Sequence, residues 1–189
     1  MEACGVSMNV RPEVEISEAA PVAMCSLHVA DRRFGIDTKQ IVEVLGSKPL
    51  RSVPLAPPFV AGIFAYRGEV LPAVSLRALL GLRPLDAPGC LLVLDAYGAA
   101  ESERFGLEVD GVGGVVLFDS SSFARSPTTL DELGKALFSG AYCGSDGLLV
   151  QIDSERLTPG RLAETGLFDR RRMGTYKREG GEDANADCG

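Results

Sequence analysis

Residues 59–77 read FVAGIFAYRGEVLPAVSLR, two apolar runs flanking Arg67-Gly68-Glu69. Gly68 supplies the positive φ that a tight reversal needs, so the segment reads as two antiparallel strands joined at a short turn. Arg67 then stands at that turn, beside an apolar surface it does not fill. Pro72 has no N–H to give to a ladder, which places the return strand at a sheet edge or the proline at the strand's end. Nothing in the segment forms a catalytic constellation; it is a displayed hairpin.

Working outward, residues 24–29 are apolar enough for a strand, Asp31-Arg32-Arg33 turns it, and Phe34-Gly35-Ile36 starts the next. Residues 37–46 fit two patterns: Ile41, Val44 and Leu45 share a helical face, whereas β-branched Ile41 and Val42 suit a strand. Pro49, Pro54, Pro57 and Pro58 make residues 47–58 a loop or extended segment. Beyond the hairpin, residues 75–81 fit a short helical turn ended by Gly81, and residues 83–89 a linker. Residues 90–96 form a continuous apolar run, a buried-strand pattern. Strands at 105–109 and 112–118 flank Asp110-Gly111, a strong hairpin dipeptide. Residues 120–129 read as a polar loop, and Thr129 with Glu132 as a capping box for a helix carrying Leu130, Leu133 and Leu137. A last hairpin spans 138–152, and Thr158-Pro159 opens a short helix that Gly166 ends.

Composition narrows the class. A chain of 189 residues, 46% hydrophobic and 24% charged, suits one or two globular units with a real core. Its 22 glycines and 11 prolines favour short strands joined by turns. A net charge of −7 argues against a nucleic-acid partner. No apolar run approaches the ~20 residues of a membrane span, so no direct membrane insertion is expected. The five cysteines (Cys4, Cys25, Cys90, Cys143 and Cys188) are odd in number and lack any C-x-x-C, a reduced pattern. With no basic or apolar leader at the amino terminus, this points to the cytoplasm. Residues 1–20 read as a disordered lead-in and 169–189 as a charged tail. The cluster Arg170-Arg171-Arg172 within that tail reads as solvated, weak attraction to an anionic membrane being the sharper alternative.

The chain also repeats itself. Phe34-Gly35-Ile36-Asp37 recurs as Phe105-Gly106-Leu107-Glu108, and the hairpin recurs loosely as FSGAYCGSDGLLVQI (138–152), with Gly140 in the place of Gly62 and Leu149 in that of Leu71. Two related all-β units in tandem are expected, and small barrels with few edges suit such strands.

Gly62, the Arg67-Gly68 turn, Pro72 and the closing Leu76-Arg77, with Phe34-Gly35-Ile36-Asp37, Ile41-Val42-Glu43-Val44 and Val109-Asp110-Gly111-Val112, occur in register over most of the chain. In these stretches the chain resembles the CheW-like adaptor family. The resemblance implies an all-β fold of two packed five-stranded barrels, roughly 34–83 plus an exchanged strand and 88–157, within a domain of residues 21–168. It also implies a non-catalytic chemosensory scaffold that binds chemoreceptor cytoplasmic tips and the regulatory domain of a CheA-type histidine kinase. Arg67 matches the family's receptor-binding arginine and Glu43 its partner; Ile41, Gly62, Leu92, Gly106 and Val115 match other positions around the same groove. The chain departs from the pattern at Ala65, Ser75 and Gly114, which bears on the identity of the partner.

Other chemistries find little support. His28 is the single histidine, flanked by Leu27 and Val29; it cannot supply a catalytic zinc set, and no G-x-S-x-G elbow accompanies it. Glu43, Glu69, Glu108 and Asp110 are scattered single charges. Gly111, Gly113 and Gly114 open no helix and read as a turn rather than a phosphate cradle. No cofactor or metal is expected. The rivals are a thiol enzyme using Cys143 or Cys90, and an adaptor of a non-chemotaxis motility or development pathway. Cys143 is expected in an apolar strand without a base.

Overall fold

The structure, a computed structural model, describes residues 20–84, 89–96, 103–125, 132–144 and 147–167. The lead-in, the charged tail with its basic cluster, and the capping role of Thr129 lie outside these residues.

In chain order the strands are β1 (Val22–Val29), β2 (Arg32–Asp37), β3 (Ile41–Gly46), β4 (Val60–Tyr66) and β5 (Glu69–Ser75), followed by helix α1 (Leu76–Leu79). Then come β6 (Cys90–Ala96), β7 (Glu103–Val109), β8 (Gly111–Phe118), β9 (Phe123–Arg125), helix α2 (Glu132–Leu137), β10 (Phe138–Gly144), β11 (Gly147–Ile152) and helix α3 (Pro159–Thr165). Of the two patterns that residues 37–46 fit, the strand prevails, entered through one 3-10 turn at Thr38–Gln40. Ser75 caps α1 by accepting from the Ala78 N–H, and Thr158, Pro159 and left-handed Gly166 bound α3.

The strands form two sheets, one ordered β8-β1-β2-β11-β10-β9 and the other β3-β6-β7-β5-β4. Setting aside short β9, the orders superpose strand for strand, with the same succession of antiparallel, antiparallel, parallel and antiparallel pairings. Gly35 and Gly106 occupy the same place, opposite Ser26 and Val93. Gly62 and Gly140 follow the same register shift, after Val60 and after Phe138. The repeat in the sequence is therefore a repeat in the fold.

The two units interleave rather than standing in tandem. β1 and β2 join β8 to β11, while β3 to β5 join β6 and β7, so strands are exchanged between the stretches 34–83 and 88–157, with β2 passing to one sheet and β6 and β7 to the other. The misread signal is Asp110-Gly111. A tight hairpin of the expected type needs positive φ at both central residues, and neither has it. Instead the chain leaves one sheet at Val109 and enters the other at Gly111, which pairs with His28 of β1. Gly113 and Gly114 lie within β8, not in a turn. A side chain at Gly113 would collide with the Ser26 hydroxyl where β8 bulges, Gly113 and Gly114 together lying opposite Ser26.

Two further expectations are corrected. β5 is interior, between β4 and β7, but its ladder with β7 starts only at Ala73, so Pro72 needs a partner on one flank alone. Residues 120–129 are not all loop: β9 adds a sixth strand to one sheet by pairing Phe123–Arg125 with β10.

Three apolar clusters follow from this arrangement. The largest lies between the sheets and draws on both, including Leu27, Phe34 and Ile36 from one and Leu92, Leu94, Phe105 and Leu107 from the other. Each sheet also encloses its own: Phe64, Tyr66, Leu71, Ala73, Leu91 and Val93 in the five-stranded sheet, and Met24, Phe118, Tyr142 and Leu149 in the six-stranded one. Asp110 ties the crossover down: its Oδ2 accepts from the Ala30 N–H at 2.6 Å and from Arg77 Nη1 of α1. The other crossover, β2 to β3, is held by Gln40, whose amide donates to Asp153 Oδ1 at 3.0 Å and accepts from the Ser154 N–H at 3.3 Å.

Candidate functional site

The alternation of β4 turns Gly62, Phe64 and Tyr66 inward, and Tyr66 roots its ring in the cluster enclosed by the five-stranded sheet. The turn that follows has φ of +49° at Arg67 and +89° at Gly68, and closes on the Tyr66–Glu69 pair. Both central residues are left-handed, which the twist of a two-residue hairpin favours. Glycine adopts this at no steric cost; Arg67 does not, and the sequence did not announce it.

β3 is one outer strand of the sheet and β4 the other. Glu43 on β3 nevertheless meets the end of β4: its Oε2 accepts from the Tyr66 hydroxyl at 2.9 Å and from Arg67 Nη2 at 2.8 Å. The Arg67 guanidinium lies 5.2 Å from the centroid of the Tyr66 ring, within cation–π reach. One carboxylate oxygen thus joins the two ends of the curled sheet. Burial first, and then the hydrogen bond to Glu43, push the Tyr66 phenol above its ordinary pKa, against the nearby Arg67 charge. The hydroxyl therefore remains a donor at neutral pH.

The Arg67 side chain is 71% exposed and that of Glu43 39%. Beside them on β3, Val42 and Val44 are exposed, as is Val70 on β5. The arrangement places an ion-paired guanidinium on a rim that carries exposed valines.

The remaining candidates fall into different roles. Ile41 is half-buried against the core between the sheets, and Leu92 on β6 is fully buried opposite Val44. Gly62 and Gly106 are packing positions. A Cβ at Gly62 would come within 2.6 Å of the Arg51 carbonyl oxygen, whose segment bridges to Ile63, and one at Gly106 within 2.6 Å of the Phe64 ring. Val115 is exposed on β8 of the other sheet. His28 is exposed on β1. Cys143 is also exposed at the end of β10, not packed in an apolar strand, because β10 turns Gly140 and Tyr142 inward and Cys143 falls between them and the rim. Burial raises the pKa of the Cys25 thiol. Among the described residues no helix is long and apolar enough to cross a membrane.

Tyr66 was missed as a member of the site. An aromatic in a strand reads as core, which its ring is; only its spacing just before the turn arginine hints at the hydroxyl's role.

Comparison with known proteins adds the family. The CheW-like domain matches residues 24–160. The chain is 23% identical over 134 residues to a probable chemotaxis protein CheW of Rhizobium etli, covering 71% of this chain and 85% of that protein. It is 38% identical over 75 residues to Protein FrzA of Myxococcus xanthus, covering 40% of this chain and 42% of that one. The crystal structure of the scaffolding protein TtCheW from Thermoanaerobacter tengcongensis superposes with a TM-score of 0.63 at 22% identity, over 71% of this chain and 90% of that one.

Proposed function

Because the chain belongs to the CheW-like domain family, we propose that it is a non-catalytic cytoplasmic scaffold that couples chemoreceptor tips to a CheA-type histidine kinase in chemosensory signalling. The observation that carries the receptor half of this reading is the Glu43–Arg67 ion pair on the open rim of the five-stranded sheet. An arginine held by a carboxylate loses less side-chain freedom on binding, and interface arginines are frequent anchors.

The kinase half draws on exposed apolar positions of the six-stranded sheet rather than on the rim that carries Arg67: Val115, opposite Cys25, and Leu148, just before buried Leu149. Val115 fits this contact better than the receptor one.

The test is titration of wild type, Arg67→Ala, Glu43→Ala and the double variant against two partners: the cytoplasmic hairpin tip of a methyl-accepting receptor and the regulatory domain of the kinase. Arg67→Ala is expected to cost about 2 kcal/mol in receptor binding and to leave kinase binding intact. Unchanged receptor affinity removes the site. Additive losses for the two substitutions remove the pairing. The similarity to FrzA favours a second reading, an adaptor of another chemosensory pathway; the kinase captured with the protein from its own cells decides between them.

A further inference from the structure

We propose that Tyr66 is a positioning residue of the receptor contact, holding Glu43 by its hydroxyl and Arg67 by its ring so that the guanidinium is presented in one orientation. This rests on the reading of Arg67 as a receptor anchor given above.

The geometry is that of a bracket. Tyr66 is 5% exposed and its ring is fixed among Phe64, Leu71 and Leu91, so it cannot follow the mobile side chains at the rim. Its hydroxyl donates to the same Glu43 oxygen that Arg67 uses, and its face lies under the Arg67 guanidinium. An arginine as exposed as Arg67 otherwise samples many rotamers, and a single surface ion pair restrains it weakly. Two restraints converging from one immobile ring narrow that sampling before any partner arrives. Among the described residues no second acidic group pairs with Arg67, so its remaining N–H groups are left to the partner.

The second sheet serves as an internal control. The register that places Gly140 at Gly62 and Val115 at Val44 places Gly144 where Tyr66 stands and Gly114 where Glu43 stands. The same sheet topology therefore forms without counterparts of Tyr66 and Glu43. There β8 and β10, the counterparts of β3 and β4, meet instead through Phe118 and Tyr142, whose ring centroids are 5.0 Å apart. The bracket is not a requirement of the fold, so its presence on one sheet alone calls for a role beyond folding.

The experiment uses the full chain with Tyr66→Phe, which keeps the ring and deletes the hydroxyl. Receptor-tip affinity is expected to fall about three- to tenfold, the loss of one hydrogen bond, with kinase-domain affinity and the thermal midpoint close to wild type. NMR relaxation of the Arg67 Nε–H should show greater side-chain mobility in the variant, a change that a purely packing role does not produce. In an Arg67→Ala background, Tyr66→Phe should cost nothing further. If Arg67→Ala weakens the receptor and Tyr66→Phe does not, Tyr66 is a core residue only and the inference fails while the receptor site stands. If Tyr66→Phe weakens receptor and kinase alike, its effect is on the fold and the inference also fails. If Arg67→Ala leaves receptor affinity unchanged, the site and the bracket fall together.

Discussion

The two sheets share a topology but close differently. In the five-stranded sheet the outer strands meet through a polar seam, Glu43 on β3 with Tyr66 and Arg67 at the end of β4. In the six-stranded sheet the seam is aromatic: Phe118 on β8 packs at a tilt against Tyr142 of β10, and Phe123 of β9 flanks the same ring at 5.0 Å. Extra strand and packed rings bury surface and so stabilise; an exposed ion pair contributes about 0–1 kcal/mol. The difference is one of exposure: one copy closes on buried rings, and the other closes through an ion pair whose side chains remain open to solvent.

That contrast can be broken at several points. The largest effect is expected where the copies are tied together. Asp110→Ala leaves the partly buried Arg77 without its anion and frees the Ala30 N–H, costing about 3 kcal/mol; a urea midpoint close to wild type would refute the clasp. Next come the paired glycines. Gly62→Ala and Gly140→Ala each push a Cβ into a backbone carbonyl, of Arg51 and of Ala124, and each should cost about 2 kcal/mol or more. Gly62, at φ +155°, adds backbone strain that Gly140 lacks, so its loss should be the larger; a costlier Gly140→Ala would reverse that order. Gln40→Ala, at the other crossover, removes two hydrogen bonds and should cost about 1–2 kcal/mol. Calorimetry finding Gln40→Ala costlier than Asp110→Ala would reverse the ranking of the crossovers.

The smallest effect concerns protons. Because the folded-state pKa of Tyr66 lies above the unfolded value of about 10, its contribution to stability is complete below that value and is lost as the pH rises through the folded one. Near-ultraviolet absorbance should show a late-titrating phenol that disappears in Tyr66→Phe. Tyr142 is raised as well, by burial and then by Asp37, and should remain. A Tyr66→Phe titration identical to wild type would remove the burial argument for this seam.

Much of the architecture was legible from local signals. The Arg67-Gly68 reversal, the caps of α3 and the duplicated Phe-Gly-apolar-acidic strings each state their structure within a few residues. What stayed hidden was which sheet a strand joins. Asp110-Gly111 carries the composition of a hairpin whether or not the next strand pairs with the last, and β9, with Phe123 its single large apolar residue, carries little periodicity. For the candidate site, Glu43 and Arg67 were marked by resemblance and lie in contact, whereas Gly62 and Gly106 are closely packed and Leu92 is buried in the core, placements that spacing does not reveal. Tyr66 could not be found because its partner comes from the opposite edge of the sheet, a relation no spacing encodes.

The interleaving of the units has a consequence for how the chain is made. β1 and β2 emerge from the ribosome early, yet the strand that flanks β1 spans residues 111–118 and the strand that flanks β2 spans 147–152. The five-stranded sheet is built from consecutive strands and has all of them once Val109 has emerged, whereas the six-stranded sheet waits for Ile152 and then forms through sequence-distant pairings, which are slow. During that interval unpaired strand edges are open to other nascent chains. A nick in the linker near residue 84 would sever the backbone yet release nothing, since each fragment holds strands that the other's sheet requires.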